Sequence, residues 1–508
     1  MKAKINSIKP IKFISFLLIF MLIFIPVSGM LTSCKTNQGN NTNNTTGTAA
    51  GPTDVSGDIN AATEIQDSLP ANLDFNGATL NLFTRGDCYV DNTVPEFGVE
   101  TENGDIINDA IYNRDKVVED RLNIKLNVIV GSGWQNYAND MTKIRASIAA
   151  GDQSYDLIAG WSASIPTLSI DGILMNLSDL PYVDFTQPWW NQRIVNDLTI
   201  DNKLNFAVGD GNLSLLCNCV AMFVNNTVQQ AYGLPNIYDT VFAGKWTIDA
   251  MDQLARSVSK DLNGDGKIDK SDQVGCVMDN YNPFDGFMQG SDIQMITKDA
   301  DGLPVLNIES DKLATLVDKI YNFSYNNPGV LVVVENSGDS ANMFENDQAL
   351  IVPGWLLWTA NFRSMKSDYS IIPYPKFDES QDKYYGRIQD GVSLFCIPTN
   401  CDKADMVGAY MEANASESYK SVSSPYFDVA MKVKYARDET SAQMLDIIRG
   451  GAYLNFASVY NDSLGNPWFV MRTLLSAKSN KFASWLDQNQ PKIQAALDKL
   501  VAKIEASQ

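Results

Sequence analysis

Between Ala78 and Ala159 the chain switches repeatedly between two hydrophobic periods, and few folds accept that pattern. "ATLNLFT" (Ala78 to Thr84) alternates every second residue, the period of a strand. Asp105 to Leu122 then sets Ile107, Ala110, Ile111, Arg114, Val117 and Val118 at helical spacing. "IKLNVIV" (Ile124 to Val130) reads as a second strand. Tyr137 to Ala150 puts Tyr137, Met141, Ile144 and Ile148 on one helical face, and Gly151 closes it. "YDLIA" (Tyr155 to Ala159) is a third strand. Strand, helix, strand, helix, strand is the opening of a doubly wound α/β sheet.

The pattern then changes. "KLNFAVG" (Lys203 to Gly209) and "AMFVNN" (Ala221 to Asn226) look like a close pair of strands. Helices are expected near Ile248 to Val258, Lys312 to Tyr325 and Ala341 to Asn346. Strand-like runs return at "ALIVPG" (Ala349 to Gly354), "YSIIPYP" (Tyr369 to Pro375) and "GVSLFCIP" (Gly391 to Pro398). The last stretch is helical, including Ile493 to Ile504. The sequence shows no tandem repeat. A chain of 508 residues can form two core-bearing units or one large two-lobed one. This one begins an α/β lobe, inserts material and returns to it.

The N-terminus reads as an address. Lys2, Lys4, Lys9 and Lys12 precede an apolar run from Phe13 to Val27. Such a run could span a membrane. Pro26 and the small polar residues after it favour a signal peptide over residues 1–33. "LTSC" (Leu31 to Cys34) resembles the bacterial lipobox, whose Cys takes a lipid, so Cys34 is the expected lipidation site. The Asn-, Thr- and Gly-rich segment that follows cannot bury a core. Residues 34–72 are therefore expected to be a lipidated cysteine and flexible tether. They would hold the folded body at the extracytoplasmic face of a bacterial cell membrane.

Composition removes several function classes. The formal charge of −21 disfavours nucleic acid as a partner and favours a monomer. There is no histidine, so Ser-His-Asp and Cys-His catalysis are excluded. Hydrolysis by paired carboxylates is not. Cys88, Cys217, Cys219, Cys276, Cys396 and Cys401 are scattered in a way that no disulfide framework suggests. They read as small buried apolar residues. Cys217-x-Cys219 lacks the second pair that a zinc site needs.

From about Leu73 to the C-terminus the chain resembles an extracellular solute-binding protein of the maltose-binding-like kind, the lipoprotein component of an ABC sugar importer. The resemblance rests on segments in order: "GDIINDAIYNRDKVVEDRLNIKL", "IRASIAAGDQSYDLIAGW", "NFAVGDGNLSLLCNCVAMFVNN", "MFENDQALIVPGWLLW", "YSIIPYPKF" and "GVSLFCIPTNCDKADMVGAYM". It implies a periplasmic-binding-protein-like type II fold, with two α/β lobes joined by crossing strands around an interlobe cleft. Lobe 1 would take about 73–208 plus 392–440, and lobe 2 about 213–390 plus 441–508. It also implies no catalysis. The protein would capture a mono- or oligosaccharide and hand it to permease subunits. The rival reading is a secreted, calcium-containing carbohydrate-active enzyme with two facing carboxylates.

Candidate ligand residues follow from that layout. Trp161 follows the strand "YDLIA", where open α/β sheets place ligands; Trp355 and Trp358 follow "LIVPG". Indoles stack on sugar faces while acids and amides take hydroxyls, although each Trp could instead be core. Asp210 and Asn212 sit at the first crossing, where "GDGN" could equally be a turn. Asp390 precedes the return crossing, and Tyr281 follows "MDN". "PWW" (Pro188 to Trp190) reads as a buried loop anchor. Tyr453 lies in "GGAYLNF", a segment assigned to the cleft mouth.

"DLNGDGKIDKSD" (Asp261 to Asp272) matches a calcium loop. Asp261, Asn263 and Asp265 occupy the first three ligand places, and Gly266 allows the turn. Lys267 can offer its carbonyl, Asp269 a bridged water, and Asp272 the last place. The alternative is a solvated acidic turn. Calcium modules of the paired type carry two such loops, and this chain has one. The expectation is one structural Ca²⁺ on a surface loop.

Overall fold

The computed structural model describes residues 65–91, 93–308, 310–335, 337–426 and 439–506. The signal-peptide and Cys34 assignments lie outside the described residues. In chain order the first lobe runs β1 (Ala78–Thr84), α1 (Ile106–Leu122), β2 (Ile124–Val130), α2 (Tyr137–Ala150) and β3 (Leu157–Trp161). The second carries β4 (Val220–Asn225), β5 (Gln273–Asp279), β6 (Val330–Val333), β7 (Ala349–Trp355) and β8 (Tyr369–Ile372), and the chain returns as β9 (Ser393–Cys396). Both sheets belong to one compact unit.

Local chemistry accounts for the helix ends. The Asp105 carboxylate accepts the amides of Ile107 and Asn108, capping α1. Asn123 closes it in the left-handed region at φ 47°. Gly151, at φ 68°, closes α2. Ile107, Ile111, Val118 and Leu122 form the buried stripe of α1, which packs on helix Ala404–Ser421.

The first sheet has the order β9-β3-β1-β2. β1 pairs in parallel with β2 and β3, and β9 closes the edge antiparallel to β3, with Ser393 opposite Trp161. The second sheet has the order β6-β5-β7-β4-β8, with β4 antiparallel to both neighbours. This is a mixed α/β architecture in which the return strand rejoins the first sheet. The expected pairing of Lys203–Gly209 with Ala221–Asn226 does not form. Ala207 bridges Phe395 of β9, whereas β4, buried along its whole length, lies inside the second sheet. Both segments are apolar enough for a strand, and each is claimed by a different lobe.

Trp189 and Trp190 are buried, and both indole N–H groups donate to the Glu412 carboxylate, at 3.2 and 3.0 Å. "PWW" is thus an anchor of the first lobe. Burial pushes the Glu412 carboxyl up to about 7, against the opposing effect of its donors. The unfolded chain therefore loses this proton at lower pH than the folded one. Stability should fall as pH rises from the ordinary carboxyl range to about 7, by about 3 kcal/mol. Glu412→Gln should flatten that part of the stability-pH curve; an unchanged slope in denaturant titrations would refute the assignment.

Candidate functional site

Two cavities open at the ends of the strands. The first, about 150 Å³, lies where the first lobe meets the return crossing and the segment after Leu454. Trp161 and Ser162 line it from β3, Arg387 and Asp390 from the crossing, and Asp462 and Phe469 from the later segment. Trp161 is held in place from three sides. Its amide donates to Tyr137 Oη at 3.0 Å, its ring meets Tyr137 edge-on at 5.9 Å, and the Arg85 guanidinium sits 5.7 Å from it. Ser162 Oγ donates to the Asp390 carbonyl at 2.9 Å, which ties β3 to the crossing. Burial, aided by the charge of Asp390, raises the Asp462 carboxyl above its ordinary range.

The second cavity, about 280 Å³, belongs to the second lobe. Trp355 and Trp358 line it, their rings 6.1 Å apart, together with Asp279, Asn282, Ser340 and Tyr374. Trp358 leans on Phe362 at 5.9 Å. Gly354 lets it settle, because a Cβ there would stand 2.5 Å from the indole. Ser340 Oγ donates to Asp279 at 2.8 Å, and burial raises the Asp279 carboxyl.

The sequence-derived candidates divide accordingly. Trp161 and Asp390 share the first cavity, and Trp355 and Trp358 share the second. Tyr281 lines neither, although its neighbour Asn282 lines the second, and its ring is covered by Arg472 at 3.8 Å. Asp210 and Asn212 line neither cavity. Asp210 is buried and ion-paired to Arg449; Asn212, fully buried, donates to Ser393 Oγ at 3.2 Å and accepts from Gly209. Their polar groups are spent on holding the crossings, a demand that "GDGN" alone does not reveal. Tyr453 is also buried, with the Arg193 guanidinium 3.4 Å from its ring centre; its neighbour Leu454 reaches the first cavity.

Several residues escaped the sequence reading. Glu96, buried, accepts from Ser214 N and Oγ at 2.8 and 2.7 Å and from Ser393 Oγ at 2.6 Å. One carboxylate thus fastens the first crossing to the return strand. Arg387, Asp462, Phe469 and Arg472 were missed because they lie in segments read only as return or helix. "NPWF" (Asn466 to Phe469) was the available signal.

In the calcium-like loop the side chains turn onto the loop's own backbone. Asp261 accepts from Gly264 and Gly266 at 2.6 and 2.8 Å, and Asp272 from Leu262 and Asp269 at 2.8 and 2.9 Å. Ile268 packs against the core. Among the described residues no group of three or more His, Cys, Asp or Glu side chains is gathered as a metal ion would require.

The sequence model described as bacterial extracellular solute-binding protein matches residues 119–419. Among solved structures, a cyclo/maltodextrin-binding protein complexed with maltotetraose superposes with a TM-score of 0.52 at 11% identity, over 84% of this chain and 96% of that one. UspC of M. tuberculosis does so with a TM-score of 0.53 at 13% identity, over 82% of this chain and all of that one, 100%. At such identities the likeness is one of fold. No curated protein sequence matches the chain.

Proposed function

The chain belongs to the bacterial extracellular solute-binding proteins, and from that premise we propose that its solute is a carbohydrate, captured for the permease of an ABC importer. The observation that carries this reading is the first cavity. It sets the half-buried indole of Trp161 beside Asp390 and Asp462, at the carboxyl ends of the first lobe's strands. An apolar ring face together with hydroxyl-bonding acids and amides is what a sugar needs. The test is a thermal-shift screen over mono- and oligosaccharides. A sugar that binds only the native state raises the melting temperature, and a flat response across the screen overturns the reading.

Asp390 and Asp462 give the cavity two carboxylates, the one feature a glycoside hydrolase would share. The family binds solutes without transforming them, so incubation with the sugar that binds should yield no product.

Two further proposals concern the periphery. Cys34 carries a lipid that anchors the protein outside the membrane; Cys34→Ala should release it from the membrane fraction. Asp261, Asn263, Asp265, Asp269 and Asp272, with the Lys267 carbonyl, take up one Ca²⁺ by exchanging their present backbone partners for the ion. No loop residue lines either cavity, although Lys270 pairs with Asp339 between Gly338 and Ser340 of the second, so chelation should lower the melting temperature and leave sugar affinity intact. Equal melting curves with and without chelator count against the ion.

A further inference from the structure

The charges on the cavity walls are unbalanced. Among the described residues, the first cavity is lined by two carboxylates, Asp390 and Asp462, and one cation, Arg387. Arg387 is already engaged by Asp285, which lies 3.7 Å from its Nη2. In the second cavity Asp279 is the one charged residue of the described wall. Asp390 accepts a hydrogen bond from its own neighbour, the side-chain amide of Gln389. Asp462 has no such help: burial and the charge of Asp390 act on its carboxyl, and no cation or donor offsets them. Two carboxylates that feel each other are costly to keep ionised together, and a cation held by both removes that cost.

The same wall carries a second, independent sign of a ligand. Arg387 and Trp468 line the first cavity and both are buried, yet Arg387 Nη1 and Trp468 Nε1 have no hydrogen-bond partner. A buried donor without an acceptor is unfavourable. The first cavity therefore calls for a cation and for acceptor oxygens at once, beside the indole of Trp161.

These demands discriminate between solutes. A bare diamine answers the carboxylates but leaves both donors and the indole unused. A neutral sugar supplies oxygens and a ring face but no positive charge. A sugar acid or sugar phosphate adds negative charge to walls that already carry three carboxylates to one guanidinium. A sugar with a free amine meets every demand, with a ring face for the indole, hydroxyls for the donors and an ammonium for the carboxylates.

We propose that the solute is an amino sugar, its protonated amine held by Asp390 and Asp462 and its ring on Trp161. This rests on the carbohydrate reading above and adds a charge to it. Asp390 and Asp462 are then specificity residues.

The experiment is calorimetric titration of the full chain with matched sets of sugars. Glucosamine, galactosamine and chitosan oligosaccharides are each compared with the N-acetylated form, with the neutral sugar of the same length and with the hexuronic acids. Acetylation removes the charge and keeps the ring, so it isolates the amine. In at least one set the amine-bearing member should bind about tenfold or more tighter than its acetylated and neutral counterparts, as a charge-assisted hydrogen bond allows. The acids should bind weakest. Asp390→Asn and Asp462→Asn should each shrink the ratio of amine to neutral sugar. Should either variant fail to fold, the wild-type ratios still decide. An acetylated or neutral member that binds as tightly as the amine, an acid that binds best, or ratios unchanged in both folded variants overturns the inference and leaves the carbohydrate reading standing. Binding by no member of any set overturns both.

Discussion

Replacing Asp285 by alanine is expected to destabilise the protein by about 3–5 kcal/mol. Asp285 is fully buried on helix Asn282–Gly290 and is the counter-charge of two buried guanidiniums, those of Arg472 and Arg387. Burial raises its carboxyl, and the two arginines pull it back down. Removing it would leave two cations out of water with no anion in contact, and that desolvation penalty is far larger than any lost packing. Asp285→Asn keeps the shape and an acceptor, so it should fall between wild type and alanine. Denaturant unfolding followed by circular dichroism measures both. A loss of less than about 1 kcal/mol for the alanine variant would show that water reaches these charges.

Trp355→Ala is expected to weaken binding of the preferred sugar by about 2–4 kcal/mol, which is roughly 30- to 1,000-fold in Kd. Trp355 is only half-buried at the end of β7, and its ring faces the second cavity. Part of the loss is ring stacking, on the order of 1 kcal/mol, and the rest is apolar area no longer removed from water. The neighbouring Trp358 leans on Phe362 and Gly354, so Trp358→Ala should also lower stability. The two substitutions therefore separate a cavity-facing indole from one that also supports its strand. Unchanged affinity in a folded Trp355→Ala protein would place the solute elsewhere.

The elements of the first lobe were legible because their signals are local. Asp105 caps its own helix, Gly151 adopts a conformation that few other residues tolerate, and β1 and β2 pair in parallel from apolar runs that follow one another in the chain. The loop at Asp261–Asp272 is likewise shaped by its own residues, since Asp261 and Asp272 accept from its own amides. Pairing was not local. Lys203–Gly209 and Ala221–Asn226 read as partners because they are close in sequence. The sheets assign them to different lobes instead, since each lobe needs an apolar strand there.

The candidate site was half legible for a related reason. The rule that ligands meet the carboxyl ends of parallel strands located Trp161 and Trp355 from the strand pattern alone. It could not say that Asp210 would be taken by Arg449, more than two hundred residues away, or Asn212 by Ser393. Nor could it bring Asp462 and Phe469 to the wall opposite Trp161. The sequence by itself determined the α/β alternation, the helix ends, the exclusion of histidine chemistry and the strand ends at which the two cavities open. Only the tertiary structure decided which polar groups are spent on holding the crossings and which line a cavity. Exposure and pairing depend on contacts between distant segments, and a buried charge takes whichever partner the packing brings within reach.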